Sequence, residues 1–238
     1  MNCPNCNQVI EQKYCSNCGQ PAQLPRIDFQ YIKREIASVL SLDKGILLTI
    51  RELILRPGEN IRSFLQEDRN RLVKPVIFLI LCSLVYSIAQ GILKFEDGYI
   101  NVHSDESTSS VMMIFNWVQG NYGYANIMMS FLFALWVKLF FRKNNYNFFE
   151  ILVLMFFVMG IGMLIYAVFG IAENITSLKI LHLGGMLGLI YVSWAIGQFF
   201  QPHKAIIYVK SFLAYLLGMV SFVITLVSIG ILLDWWLQ

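Results

Sequence analysis

Five long apolar stretches constrain this chain more than any other feature. They lie at about 75–93 (PVIFLILCSLVYSIAQGIL), 122–141 (YGYANIMMSFLFALWVKLFF), 149–170 (FEILVLMFFVMGIGMLIYAVFG), 180–200 (ILHLGGMLGLIYVSWAIGQFF) and 211–233 (SFLAYLLGMVSFVITLVSIGILL). A helix needs roughly 20 apolar residues to cross about 30 Å of hydrocarbon, and each stretch has that length. Composition agrees. Hydrophobic residues make up 57% of the chain and charged residues 14%, against about 25% charged in a soluble domain. The expected fold class is an all-α membrane protein with five transmembrane helices.

Charge divides the chain. Residues 1–74 hold 11 of the 18 Lys and Arg. The sequence therefore reads as a cysteine-rich piece (1–25), an amphipathic segment (26–74) and a five-span bundle (75–238). Placing the N-terminus in the cytoplasm puts 16 of the 18 basic residues inside, leaving only Lys94 and Lys179 outside. The positive-inside rule then gives a multi-pass protein of the inner (cytoplasmic) membrane, N-terminus in and C-terminus out. The first outer loop (FEDGYINVHSDESTSS) is polar and acidic, as that orientation requires. No secretory leader is apparent, because the first 30 residues are rich in Asn, Gln and Cys. Trp117, Tyr122, Trp235 and Trp236 fall near the expected outer surface and Tyr208 near the inner one, where interfacial aromatics belong. Lys138 lies one turn from the inner end of the second span, within snorkelling reach of headgroups. The run 111–118 is too short to span and reads as a helix on the outer leaflet.

The chain opens MNCPNCNQVIEQKYCSNCGQ, with Cys3-x2-Cys6 and Cys15-x2-Cys18. Each Cys-x-x-Cys can turn two sulfurs toward one point, and two such turns supply the four thiolates that tetrahedral Zn²⁺ prefers. Pro4 stiffens the first turn, and Gly19 follows the second. In a cytoplasmic setting thiols stay reduced, so paired disulfides are not expected. A redox dithiol or an iron site is the competing reading, although a thioredoxin-like motif needs a single pair between a strand and a helix. Twenty residues cannot build a core, so the metal would supply the folding energy. Four sulfurs close the coordination shell, which makes the zinc structural rather than catalytic. Cys82 stands apart as a small hydrophobe in the first span.

Between the cysteines and the first span, three apolar sets follow helical spacing: Phe29, Ile32, Ile36, Val39 and Leu40; Ile46, Leu47, Ile50, Leu53 and Ile54; Ile61, Phe64 and Leu65. Pro57 suits the first turn of the third helix, with Glu59 close behind. These helices either pack as a small cytoplasmic cap or lie flat on the inner leaflet. Residues 26–74 carry a net +3, too mixed for a dedicated electrostatic anchor. Arg69, Arg71 and Lys74 abut a span and read as interfacial.

Taken together, the double Cys-x-x-Cys, Leu42-Asp43-Lys44-Gly45, Arg56-Pro57-Gly58, Phe64-Leu65 and the basic stretch ending in Lys74-Pro75 resemble a family of bacterial inner-membrane proteins known only as a domain of unknown function. The resemblance covers residues 1–80 and implies a zinc-ribbon membrane protein with no established activity. Arg56, Pro57, Gly58, Arg69, Arg71, Lys74 and Pro75 are the residues expected to meet the membrane interface or a partner.

The spans offer little chemistry. Their polar residues are Ser83, Ser87, Gln90, Asn126, Ser130, His182, Ser193, Gln198, Ser221, Thr225 and Ser228, with no Asp, Glu or Arg at mid-depth. Glu173, Lys179 and His182 near the outer surface are too few ligands for a zinc enzyme. Gly160, Gly162, Gly184 and Gly188 suit close helix packing within the bundle, or a seam between two copies. Residues 1–25 contain Lys13 alone as a basic group, so nucleic-acid binding is not expected. The expected function is non-enzymatic: the ribbon and helical cap bind a cytoplasmic or membrane protein for assembly or regulation. The alternative is a transporter or channel for a small solute or lipid.

Overall fold

The computed structural model describes residues 2–3, 6, 8–9, 15–18, 45–69, 71–93, 95, 109–176, 178–200 and 204–237. The apolar set 29–40, the expected boundary at 25/26, Pro4 and Gly19 lie outside them. The chain divides into two compact units, Met1–Asp43 and Lys44–Gln238.

The larger unit is all-helical, with eight helices and no strand among the described residues: α1 (Ile46–Leu55), α2 (Pro57–Gln66), α3 (Pro75–Leu93), α4 (Ser110–Gly120), α5 (Tyr122–Phe140), α6 (Phe148–Thr176), α7 (Leu181–Phe200) and α8 (Ala205–Leu237). α3, α5, α6, α7 and α8 are long and apolar enough to cross a membrane, which makes this a multi-pass helical protein. Hydrocarbon offers no partner to a backbone amide, so helices that close their own hydrogen bonds are the available solution.

Local sequence sets the ends. Gly45 takes a left-handed φ of 70° ahead of α1, and its carbonyl accepts from the Thr49 amide at 3.0 Å. α6 starts at a capping box: the Glu150 amide donates to Asn147 Oδ1 at 2.9 Å, and the Asn147 amide to Glu150 Oε2 at 2.7 Å. That box places the start beside the expected position. The far end runs on to Thr176, giving 29 residues, or about 43 Å at 1.5 Å per residue. α8 is longer still, with 33 residues.

α6 is the central helix. Leu154, Phe157, Val158 and Ile161 are fully buried, with α3, α5 and α7 packed around them and α8 closing against α5 and α7. α3 shows how the bundle meets its surroundings. Val76, Ile80, Leu84, Ile88 and Ile92 form an exposed aliphatic stripe, while Phe78, Leu79, Cys82, Ser83 and Tyr86 are buried on the other face. At one end of the bundle Phe141 stacks on Phe200 at 4.1 Å, and Tyr146 meets Phe199 at 4.5 Å. At the other, Asn174 Nδ2 donates to the Leu93 carbonyl at 3.0 Å.

Several residues behave differently from the sequence expectation. Tyr122 is 2% exposed and sits edge-on to Tyr86 at 5.0 Å, so it belongs to the core rather than to an interfacial belt. Lys138 Nζ donates to the Tyr146 carbonyl at 2.5 Å, tying the α5–α6 turn. The 111–118 run is helical, within α4, but docks on α8: Ser109 Oγ and the Ser110 amide donate to Asp234 at 3.1 and 2.9 Å, and Phe115 and Val118 are buried. The glycines divide. A Cβ on Gly160 would strike Phe78 and one on Gly184 would strike Phe169, so these two permit close packing. Gly162 faces open space, and a Cβ on Gly188 would only touch Tyr166, at 3.9 Å.

Candidate metal centre and docked hairpin

The first unit brings Cys3, Cys6, Cys15 and Cys18 together, with all four sulfurs within 4.8 Å of one another. Cys3 Sγ lies 3.5 Å from Cys18 Sγ, and Cys6 Sγ 3.5 Å from Cys15 Sγ. A disulfide would place them at about 2.05 Å, so all four are free thiols. Four sulfurs around a metal at about 2.3 Å sit about 3.8 Å apart in a tetrahedron, inside the observed spread. The backbone produces this convergence. An isolated antiparallel bridge joins Asn2 to Val9, the Cys3 amide donates to the Gln8 carbonyl at 2.8 Å, and residues 16–18 form a turn. Cys3 and Cys15 are buried, Cys6 is half-buried and Cys18 is exposed. The Gln8 backbone amide, directed at the Cys6 sulfur, holds that thiol below the ordinary cysteine range. The Asn17 side chain and the Cys15 and Cys18 thiols act in the same sense, against the opposing effect of burial. Hydrogen bonds to sulfur favour the thiolate, the form that ligates metal. The four residues fit a single metal ion. Among the described residues they are the only close group of three or more His, Cys, Asp or Glu. Glu173 is engaged elsewhere, where its Oε2 accepts from the Leu181 amide at 2.7 Å, at the start of α7.

In the larger unit, α1 and α2 form a hairpin docked against α6 and α7; the first of the three expected amphipathic helices lies outside the described residues. Leu53, Ile61 and Phe64 enter the main core, and Phe64 meets Phe157 edge-on at 5.3 Å. The outer side of α1 still exposes Leu47, Leu48, Ile54 and Leu55.

The Arg56-Pro57-Gly58 residues occupy the hairpin turn. Pro57 is the first residue of α2 and is buried. Gly58 lies so close to the last turn of α7 that a Cβ would strike the backbone of Gln198 and Phe199. Arg56 remains outside, with its side chain exposed and 3.6 Å from Glu59. Arg71 pairs with Glu52 at 3.1 Å, and Arg69 Nη2 donates to the Leu65 carbonyl at 3.4 Å. Lys74 is exposed, and its carbonyl accepts from the Phe78 amide at 2.9 Å; Pro75 begins α3.

Residues outside that set hold the hairpin in place. Arg62 Nη1 donates to the carbonyls of Gln198 and Phe199 at 2.6 and 2.8 Å, meeting the negative end of α7. Asn60 Nδ2 donates to the Glu52 and Arg56 carbonyls, both at 3.0 Å. Tyr191 Oη donates to the Leu53 carbonyl at 3.1 Å, and Thr49 Oγ1 accepts from the Val73 amide at 3.2 Å. The Leu53 carbonyl thus finds a donor from α7, and the Glu52 and Arg56 carbonyls, which already accept from the Arg56 and Asn60 amides, take a second donor from α2. Asn60 carried a legible signal: an asparagine inside a short amphipathic helix disfavours the helix unless its amide has a partner.

Residues 43–87 match the model of a family described as "Protein of unknown function (DUF3667)". The matched segment contains α1, α2 and most of α3, and stops short of the cysteine cluster. No curated protein matches the chain, and neither does any solved structure.

Proposed function

We propose that this chain is a non-enzymatic inner-membrane protein whose cysteine cluster is a structural zinc ribbon on the cytoplasmic side. In this reading the ribbon and the α1–α2 hairpin recruit a protein partner for assembly or regulation. The convergence of Cys3, Cys6, Cys15 and Cys18 carries the reading. A four-thiolate site has no open position for substrate, and its use is to fold a short segment that a partner can grip. Orientation is supported by charge. Arg62 lies in the hairpin, Lys138 in the last turn of α5, and Arg142, Lys143 and Lys204 in the α5–α6 and α7–α8 connections, where the positive-inside rule would place them in the cytoplasm. Membership of a bacterial zinc-ribbon family across residues 1–80 belongs to the same proposal.

Purified protein is expected to hold one zinc per chain by elemental analysis, and none after Cys3→Ser with Cys6→Ser. The double variant is expected to insert normally and to lose the proteins crosslinked to wild type. Zinc-free wild type, or an unchanged crosslinking profile, sinks the reading. Thiol labelling from the outer side of intact cells is expected to miss Cys18.

A further inference from the structure

We infer that the bundle contains a binding site for a lipid-soluble molecule about one aromatic ring in size that donates a hydrogen bond. The site is a cavity of about 190 Å³ between α5, α6, α7 and α8. An apolar cavity of about 150 Å³ is enough to take benzene. Three independent features point to a ligand of this class.

The first is Asn126, which lines the cavity and is 0% exposed. Its Nδ2 donates to Ser83 Oγ at 3.4 Å, on the α3 side. Its Oδ1 is the one buried side-chain oxygen or nitrogen among the described residues that has no hydrogen-bond partner. A carbonyl taken out of water and left unmatched destabilises the fold. A donor entering the cavity would offset that cost once the Asn126 side chain turns toward it its Oδ1, which is fully covered in this structure.

The second is the wall. Met129, Met159, Met163 and Met219 line it together with the rings of Tyr166 and Tyr215. Thioethers adapt to irregular shapes and make favourable contacts with aromatic rings, so this lining favours a ring over an alkyl chain.

The third is room at the backbone. Nothing lies within 4 Å of a Cβ built on Gly162, and one on Gly188 would meet only Tyr166, at 3.9 Å. A Cβ on Gly185, also on the wall, would meet Tyr166 Oη at 2.7 Å, but Gly162 and Gly188 are not clamped against a neighbouring helix as Gly160 and Gly184 are. What they keep open is the cavity. Met219 at its rim is 37% exposed on the flank of the bundle, near the middle of α8. A ligand arriving there comes from hydrocarbon rather than water.

The site owes nothing to the metal-centre reading and is tested separately. Full-length protein in phosphatidylcholine nanodiscs is titrated with 4-fluorophenol and with fluorobenzene and followed by ¹⁹F NMR. The expected result is a saturable protein-bound resonance for 4-fluorophenol, at one per chain, with fluorobenzene at least tenfold weaker. Asn126→Leu should abolish that discrimination. Gly162→Leu with Gly188→Leu should abolish binding of both probes while the helical circular dichroism is retained. The proposal is overturned by the lack of a saturable bound resonance, by equal binding of the two probes to wild type, or by a folded double variant that binds as wild type does. If the double variant does not fold, Asn126→Leu decides: discrimination retained in it also overturns the proposal.

Discussion

The hairpin and the bundle centre each bury an asparagine inside a helix, and they treat it in opposite ways. Asn60 in α2 gives its amide protons to two carbonyls at the end of α1, both at 3.0 Å. Asn126 in α5 has one long bond to Ser83 and an unmatched Oδ1. A buried amide whose protons are both matched fixes one geometry, whereas a buried carbonyl with no donor is a cost that persists where something else uses it. The hairpin is therefore built for a fixed pose and the bundle centre for occupancy.

The strongest way to break this contrast is to undock the hairpin. Gly58→Val puts a branched Cβ into the Gln198 backbone. Overpacking against backbone costs about 3 kcal/mol. We expect a large fall in the unfolding midpoint and new proteolytic cleavage within 45–69. Wild-type protease resistance would mean that α2 does not rest on α7 in the membrane.

Next come the two asparagines, through the same substitution. Asn60→Leu removes two side-chain hydrogen bonds, to the Glu52 and Arg56 carbonyls, which keep only the Arg56 and Asn60 backbone amides as donors, and is expected to cost about 2 kcal/mol. Asn126→Leu keeps the volume and removes the unmatched carbonyl, but it also takes the 3.4 Å donor from buried Ser83 Oγ, so the two effects offset and the net change is expected to be close to zero. A clear loss at Asn60 with little change at Asn126 in a chemical-unfolding series sharpens the contrast. A loss of about 2 kcal/mol at both sites would dissolve it.

The sequence reveals the first of these regions far better than the second, for physical reasons. An amphipathic helix advertises its buried face, so Leu53, Ile61 and Phe64 are readable from spacing, and Pro57 marks the start of α2. The five spans are readable from length and hydropathy. Their packing is not, because a span is apolar all round: nothing in PVIFLILCSLVYSIAQGIL separates the lipid stripe of Val76, Ile80 and Leu84 from the core face of Phe78 and Cys82. The glycines illustrate the same limit, since Gly160 and Gly162 are two residues apart and only one of them packs. Other signals lie in the sequence but speak only once the helix ends are known. Asn147-x-x-Glu150 is a capping box that fixes the start of α6, and Ser109 before an apolar run is an N-cap. The four cysteines are legible as a set because two close pairs specify convergence whatever the rest of the fold does.

Arg62 tests the hairpin more gently. Its guanidinium covers two carbonyls at the end of α7, so Arg62→Met is expected to cost about 1–2 kcal/mol in the same unfolding series. Arg62→Lys should recover only part of this, since an ammonium lacks the planar fork.

The smallest effect is expected at Arg56, and it separates the hairpin's architecture from its use. Arg56 shares the turn with Pro57 and Gly58, yet its side chain is 73% exposed and its contact with Glu59, itself 65% exposed, is loose at 3.6 Å. Such surface pairs contribute about 0–0.5 kcal/mol, so Arg56→Ala should leave the unfolding midpoint where it is. An arginine beside a rigid proline–glycine turn, with so little part in holding the fold, is well placed to meet a partner. Partner crosslinking that falls in Arg56→Ala at unchanged stability would assign the turn to recognition. Crosslinking that survives Arg56→Ala but fails in the cysteine variant would assign recognition to the metal-held unit alone.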